Sequence, residues 1–171
     1  METDTHYVDI RMMAAADLPA VLAIQAVCYT ELTPESEESL HAKLRASPST
    51  CFIASLADDT IGYLVALPGE LSNPPMLNAG TCRLPSSPDC LYLHDLAVTP
   101  GARKSGAGRA LVEAFLTRLR ASGLGRASLI AVQGSAPYWE RYGFRAVPPS
   151  APLKARLSTY GECVAYMERA A

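Results

Sequence analysis

A chain of 171 residues is long enough to bury one substantial core without disulfides or metals, and 49% hydrophobic with 19% charged residues is ordinary globular composition, which excludes wholesale disorder and fibrous structure. The formal charge of -2, with Lys and Arg scattered along the chain, removes the electrostatic footprint of a nucleic-acid binder. Five cysteines (Cys28, Cys51, Cys82, Cys90, Cys163) lie far apart and form neither a zinc nor a redox motif. They suit a reducing cytosol, and since Asp17, Pro19 and Gln25 break the first apolar run, no signal peptide or membrane span is drawn; a cytoplasmic protein without membrane or nucleic-acid partners is expected.

In chain order, residues 8–11 read as a first strand, and Asp17 is placed to cap a helix in which Leu18, Val21, Ile24 and Cys28 recur at near-helical spacing. Thr33 with Pro34 opens a second helix that buries Leu40 and Leu44, one turn apart. Glu35, Glu37 and Glu38 make an acidic helix start that suits the helix dipole without any function. Residues 51–56 and 61–67 are apolar, β-compatible runs parted by Ala57, Asp58, Asp59 and Thr60, the pattern of a hairpin. Residues 68–89 form a loop with five prolines, too long for mere connection and of a kind that often borders a site.

Residues 90–98 resume as a strand. Leu111, Val112, Phe115, Leu116 and Leu119 then outline the clearest amphipathic helix, which stops at Ser122 and Gly123. A strand at residues 126–132 follows, then a short helix begun by Ser135 and Pro137 and ended by Gly143, and a last strand at residues 161–167. Residues 154–160 are ambiguous. The order βααβββ, then αβαβ, describes a single α/β domain over 1–171 with a mixed sheet.

Strand, loop and helix meet at Arg103-Lys104-Ser105-Gly106-Ala107-Gly108-Arg109. Glycines at a helix start let a ligand approach the backbone, and the unpaired N–H groups with the positive helix end favour an anion, to which Arg103, Lys104 and Arg109 add full charges. The spacing fits neither a Walker loop nor the dinucleotide fingerprint. What remains is Arg-x-x-Gly-x-Gly, which in isolation is equally compatible with a tight structural turn.

In context the stretch 91–116, beginning Leu91-Tyr92-Leu93-His94-Asp95-Leu96-Ala97-Val98, resembles the acetyl-CoA-binding motif of the GNAT superfamily. Ser135-Ala136-Pro137-Tyr138-Trp139-Glu140-Arg141-Tyr142-Gly143-Phe144 resembles the helix and Gly-Phe ending that this family places after its next strand, and within the family the match is nearest the arylalkylamine N-acetyltransferase branch. The resemblance implies a mixed, mostly antiparallel sheet with splayed central strands flanked by helices. It also implies acetyl-CoA as co-substrate, with no metal. The pantetheine arm would lie against the backbone of Leu96, Ala97 and Val98, where an N–H near Ala97 or Val98 polarises the carbonyl. The pyrophosphate would lie on Lys104, Ser105, Gly106, Ala107, Gly108 and Arg109, beside Arg103.

Acetyl transfer needs a neutral amine nitrogen, yet an alkylamine of pKa about 10.4 is only about one part in 2,500 neutral at pH 7, a cost of roughly 4.6 kcal/mol unless a base assists. His94 matches a strand histidine of the arylalkylamine branch linked to proton removal; the other reading is a satisfied sheet histidine. Tyr92, two residues back on the same strand face, extends the candidate water path, whereas His6 and His41 have no motif around them and read as surface residues. Where the family supplies a tyrosine as general acid this chain has Trp139, and indole is no acid; Tyr138 and Tyr142 are the substitutes to weigh against simple packing. Tyr29 and Glu31 fall where the family lines its acceptor pocket, and Tyr160 is a further aromatic candidate there. Direct transfer in a ternary complex is expected, since neither Cys82 nor Cys90 has a feature that would lower its pKa. The acceptor reads as the primary amine of a small molecule and the protein as a monomer or homodimer; a protein or peptide N-acetyltransferase and a non-catalytic acyl-CoA-binding protein are the alternatives.

Overall fold

The sheet grows from a tight hairpin. The computed structural model describes residues 7–171, and in it Cys51–Leu56 (β2) and Asp59–Gly69 (β3) are joined across Ala57 and Asp58, whose φ values of 49° and 68° form the left-handed pair that matches the twist of adjoining strands. Asp9–Met12 (β1) adds to β2 and Cys90–Val98 (β4) to β3, both antiparallel. Arg126–Ala131 (β5) runs parallel to β4, and Ala165–Ala170 (β7) with the two-residue Arg145–Ala146 (β6) completes the sheet. The seven strands lie in the order β1-β2-β3-β4-β5-β7-β6, mostly antiparallel and flanked by helices on both faces, the α/β architecture expected from the sequence.

Periodicity decides which face each helix covers. Leu18–Cys28 (α1) and Glu37–Ala46 (α2) bury Leu18, Val21, Ile24, Leu40 and Leu44 against Ile53, Tyr63 and Val65. Ala107–Ser122 (α3) buries Leu111, Val112, Phe115 and Leu119 against the opposite side chains, Phe52, Leu64, Leu91 and Leu93. Each such side chain contributes about 1.5–3 kcal/mol of transfer free energy. Ala136–Glu140 (α4) sits beside β6, while Ala151–Leu157 (α5) packs Leu153 and Leu157 on Tyr166. Among the described residues no helix is long and apolar enough to cross a membrane.

Several boundaries differ from the sequence reading for local reasons. Asp17 does not cap α1: its carboxylate binds Arg11 (2.6 Å) and the Ala14 N–H (2.7 Å), closing a short 3-10 turn. The second helix starts at Glu37 and not at Thr33, because the Ser36 side chain accepts the Ser39 N–H and is the true cap. The last strand starts at Ala165, since Gly161 (φ 93°) and Cys163 (φ 54°) hold the preceding residues in a turn. The ambiguous residues 154–160 are α5 running into a 3-10 turn at Ser158–Tyr160. His41 is half-buried, and His6 lies outside the described residues.

Candidate active site

The site begins with one extra residue in β4. Val65 of β3 faces Asp95 and Ala66 faces Leu93, so His94 has no partner and forms a β-bulge. The bulge shifts the strand's alternation. Tyr92 before it, and Asp95 and Ala97 after it, all turn to the α1/α2 face, while Leu91, Leu93 and Val98 share the α3 face. The same position marks where β4 leaves β5: the parallel ladder pairs Leu91 with Ala127, Tyr92 with Ser128 and Leu93 with Leu129, and ends there. A cavity of about 490 Å³ opens between the separated ends, lined by Leu93 to Val98 on one side and Leu129, Ile130 and Val132 on the other.

Strand geometry sets which backbone groups face that gap. In an antiparallel ladder alternate residues turn N–H and C=O to one neighbour, and the Thr99 N–H bonds Ile61 O, so Ala97 and Asp95 face β3 while Leu96 and Val98 face the gap. Ala97 therefore uses its backbone on Tyr63. The Leu96 and Val98 carbonyls accept from the Tyr29 hydroxyl (2.9 Å) and the Cys28 thiol (3.3 Å) at the end of α1.

At one end the cavity reaches the start of α3. Gly106 caps the helix at φ 88°, in the left-handed region where a side chain is strained. Gly108 leaves room for Tyr138, because a Cβ there would stand 2.9 Å from the Tyr138 hydroxyl. The N–H groups of Lys104, Gly106, Gly108 and Arg109 have no hydrogen-bond acceptor among the described residues, whereas Ala107 N–H is held by Ser105 Oγ (3.2 Å). Arg103 lines the cavity and no acidic residue occupies the helix's first turn. Unpaired N–H groups at a helix start beside a cation are an arrangement that can hold an anion, and the α3 start is a candidate cradle for one. Lys104 is exposed, and Arg109 binds Glu113 (2.9 Å) on the solvent face, so only its backbone belongs to the cradle.

At the other end a buried chain of charge stands behind His94. Lys43 is 2% exposed and its ammonium binds Glu35 Oε1 and the Ser39 hydroxyl (2.9 Å), which itself donates to Glu35 Oε1 at 2.6 Å. The second oxygen of Glu35, a side chain 6% exposed, is 2.7 Å from His94 Nε2. Burial alone would push the Glu35 carboxyl up, but the charge and hydrogen bonds of His94 and Lys43 outweigh it and hold the group down to about 2. Asp95 is raised by burial, an effect opposed by His94 and by the hydroxyls of Tyr29 and Tyr63 (2.6 Å) that it accepts from. Two buried polar atoms have no partner among the described residues: His94 Nδ1 and the Tyr160 hydroxyl. Tyr160, Tyr92 and His94 line the same part of the cavity, with the Tyr92 and His94 rings 6.1 Å apart.

The remaining candidates scatter. Tyr138 lines the cavity, its hydroxyl pushed up by burial and by Tyr142. Tyr142 lies outside the lining, its ring 5.4 Å from that of Tyr138. Trp139 lines the floor and packs edge-on against Phe144. Tyr29 is tied to Asp95, and the exposed Glu31 is held only through its backbone, by Gln133. Burial pushes the Cys90 thiol up to about 11, far from thiolate character. Ser39, Lys43 and Asp95 were not singled out by the sequence reading, and Glu35, read there as a helix-start carboxylate without function, is instead buried between Lys43 and His94. Their signal is there: Glu35, Ser39 and Lys43 are spaced by four residues leading into and along a helix that buries Leu40 and Leu44, and Asp95 is a carboxylate in a mostly apolar strand.

Comparison with known proteins agrees with this geometry. The family model described as Acetyltransferase (GNAT) family matches residues 18–144. No curated protein sequence matches. Among solved structures, Ard1 from Thermoplasma volcanium superposes with a TM-score of 0.74 at 18% identity, over 95% of this chain and 97% of that one. Rv2747 from Mycobacterium tuberculosis, in complex with CoA and NLQ, gives 0.65 at 15% identity over 95% and 99%. Arabidopsis thaliana Naa50, in complex with the bisubstrate analogue CoA-Ac-MVNAL, gives 0.68 at 11% identity over 95% and 97%.

Proposed function

The chain belongs to the acetyltransferase (GNAT) family, and on that premise we propose that it moves an acetyl group from acetyl-CoA to the primary amine of a small molecule by direct transfer in a ternary complex. One observation carries the reading: a single cavity runs from the unpaired N–H groups of the α3 start, along the gap between β4 and β5, to His94. The cradle of Arg103 and the N–H groups of Lys104, Gly106, Gly108 and Arg109 suits a pyrophosphate in charge and approach, whereas the Ser105 N–H is taken by the Ala102 carbonyl; Leu96 and Val98 offer backbone groups to an extended amide-bearing arm. Acetyl-CoA supplies the activated acyl group; the chain's own residues align it and manage protons.

His94 is the proton acceptor in this reading. The amine arrives as R–NH3⁺ and gives one proton to the ring, leaving R–NH2 to attack the thioester carbonyl. As the C–S bond breaks, the nitrogen's excess proton passes to the departing sulfur, so the products are the amide and the free thiol. Tyr138, near the helix start, is the donor candidate on that side, with Trp139 as wall and Tyr142 behind Tyr138 as packing support. Free thiols at all five cysteines favour a reducing cytosol as the compartment.

Release of free thiol from acetyl-CoA across a panel of amines tests the proposal. Amine-dependent release with matching amide product is expected, and binding of acetyl-CoA with no release for any amine or peptide would replace it with a binding protein. A second reading, transfer to a protein or peptide N-terminus, draws on Naa50 bound to CoA-Ac-MVNAL. It predicts that short peptides outcompete small amines in the same assay.

A further inference from the structure

Resting on the acetyl-transfer reading, we infer that Glu35 is a positioning residue, itself fixed by Lys43 and Ser39, that holds His94 in the tautomer with its hydrogen on Nε2, so that Nδ1 alone exchanges a proton with the acceptor amine. Glu35 touches no part of the expected reactants. It acts through the imidazole.

An ionised carboxylate only accepts hydrogen bonds, so the 2.7 Å contact between Glu35 Oε2 and His94 Nε2 requires the hydrogen on Nε2. In the neutral ring Nδ1 then carries the lone pair. That atom is buried and no protein group reaches it, although His94 lines the cavity. A buried ring nitrogen without a partner is unfavourable unless a ligand or its water supplies one, and the cavity that His94 lines is the open space from which one would come. A structural histidine would have both nitrogens satisfied.

Lys43 sets the tautomer indirectly. A carboxylate as buried as Glu35 would neutralise if left alone, and a protonated Glu35 would donate to Nε2 and drive the ring hydrogen to Nδ1, closing the working atom. The buried ammonium and the Ser39 hydroxyl on Oε1 prevent this by keeping the group ionised and immobile. When Nδ1 takes the amine's proton the ring becomes an imidazolium, with Glu35 still anionic at Nε2; no second proton moves. A remote carboxylate that orients an imidazole and stabilises its cation, without being protonated itself, is the logic of the Ser-His-Asp arrangement. The ionisable groups around the ring are Glu35 and Lys43 from the approach to and body of α2, Asp95 and Tyr92 from β4, Tyr29 at the end of α1 and Tyr160 after α5. Asp95 is occupied by two tyrosine hydroxyls, which leaves Glu35 as the anion that addresses His94 directly.

The test is the two-bond proton–nitrogen spectrum of the histidine rings in ¹⁵N-labelled full-length protein, which has three histidines, with His94 assigned through His94→Gln. The wild type is expected to show the Nε2–H tautomer of the neutral His94 ring. The double variant Glu35→Leu/Lys43→Met, which leaves no orphaned charge, is expected to shift the ring toward Nδ1–H. It is also expected to lower kcat for the amine by about 100-fold, the scale of a general base, with KM for acetyl-CoA unchanged and the acid limb of the pH–rate profile displaced. An Nδ1–H tautomer in the wild type, or an unaltered Nε2–H tautomer in the double variant, overturns the inference. The wild-type spectrum alone decides if the variant fails to fold. Because the spectrum needs no turnover, absence of transfer to every amine would refute the activity and leave the tautomer test standing.

Discussion

Replacing Glu35 by Gln orphans a cation. The Lys43 side chain is 2% exposed, and without the carboxylate its ammonium faces only neutral acceptors, the Ser39 hydroxyl at 2.9 Å and the amide oxygen of the new glutamine. Breaking a buried ion pair from one side costs about 3–5 kcal/mol, because the remaining charge has lost both water and partner. Lys43→Met should cost less, since Glu35 retains Ser39 and can draw a proton onto His94, its second partner at 2.7 Å. The double variant Glu35→Gln/Lys43→Met leaves neither charge of the pair without its partner and should return to within about 1–2 kcal/mol of the wild type. Urea denaturation at pH 7 measures this cycle: with a slope of about 2 kcal/mol/M, Glu35→Gln should lower the midpoint by roughly 1.5–2.5 M and the second substitution should restore most of it. A Glu35→Gln midpoint within about 0.5 M of the wild type, or single effects that simply add in the double variant, would refute the claim that these charges are buried together.

Three further outcomes follow from the same geometry. The Glu35 carboxyl lies at about 2 in the folded protein against an ordinary 4.5, so its stabilisation is complete above 4.5 and disappears as pH falls towards 2; the urea-midpoint advantage of the wild type over Glu35→Gln/Lys43→Met should shrink across that window. Isothermal titration with acetyl-CoA should show binding weakened at least about tenfold by Gly106→Glu, which strains a φ of 88° and puts an anion in the cradle, and by a smaller factor in Arg103→Ala, with the Arg103 effect fading at high salt. Gly108→Ala would set a Cβ 2.9 Å from the Tyr138 hydroxyl, the far end of a side chain that can swing, so acetyl-CoA affinity should fall while stability changes by less than about 1 kcal/mol; adding Tyr138→Phe should recover the affinity.

The cradle was legible in the sequence because it is local. Gly106 and Gly108 at the start of an amphipathic helix, beside Arg103, specify a backbone conformation and a charge within seven residues. The acceptor end was legible only as candidates. His94 was identified, but its partner Glu35 lies 59 residues away and was read as one of three helix-start carboxylates without function. Tyr142 and Glu31, placed by likeness to a motif, lie outside the cavity lining, since a helix's rotation and a loop's path depend on what they pack against.

Composition and periodicity were enough to determine a single α/β layer structure, most of its strands and helices within a few residues but neither β6 nor α5, and a candidate anion site, because propensity, capping and alternation act over one or two turns of chain. Tertiary structure alone decided the phase of β4. The bulge at His94 is invisible in an unbroken apolar strand, yet it puts Tyr92, Asp95 and Ala97 on one face, releases β5 to open the cavity, and directs the imidazole at Glu35. Such a shift is set by which residue of a neighbouring strand each residue meets, and register between strands is a property of the assembled sheet.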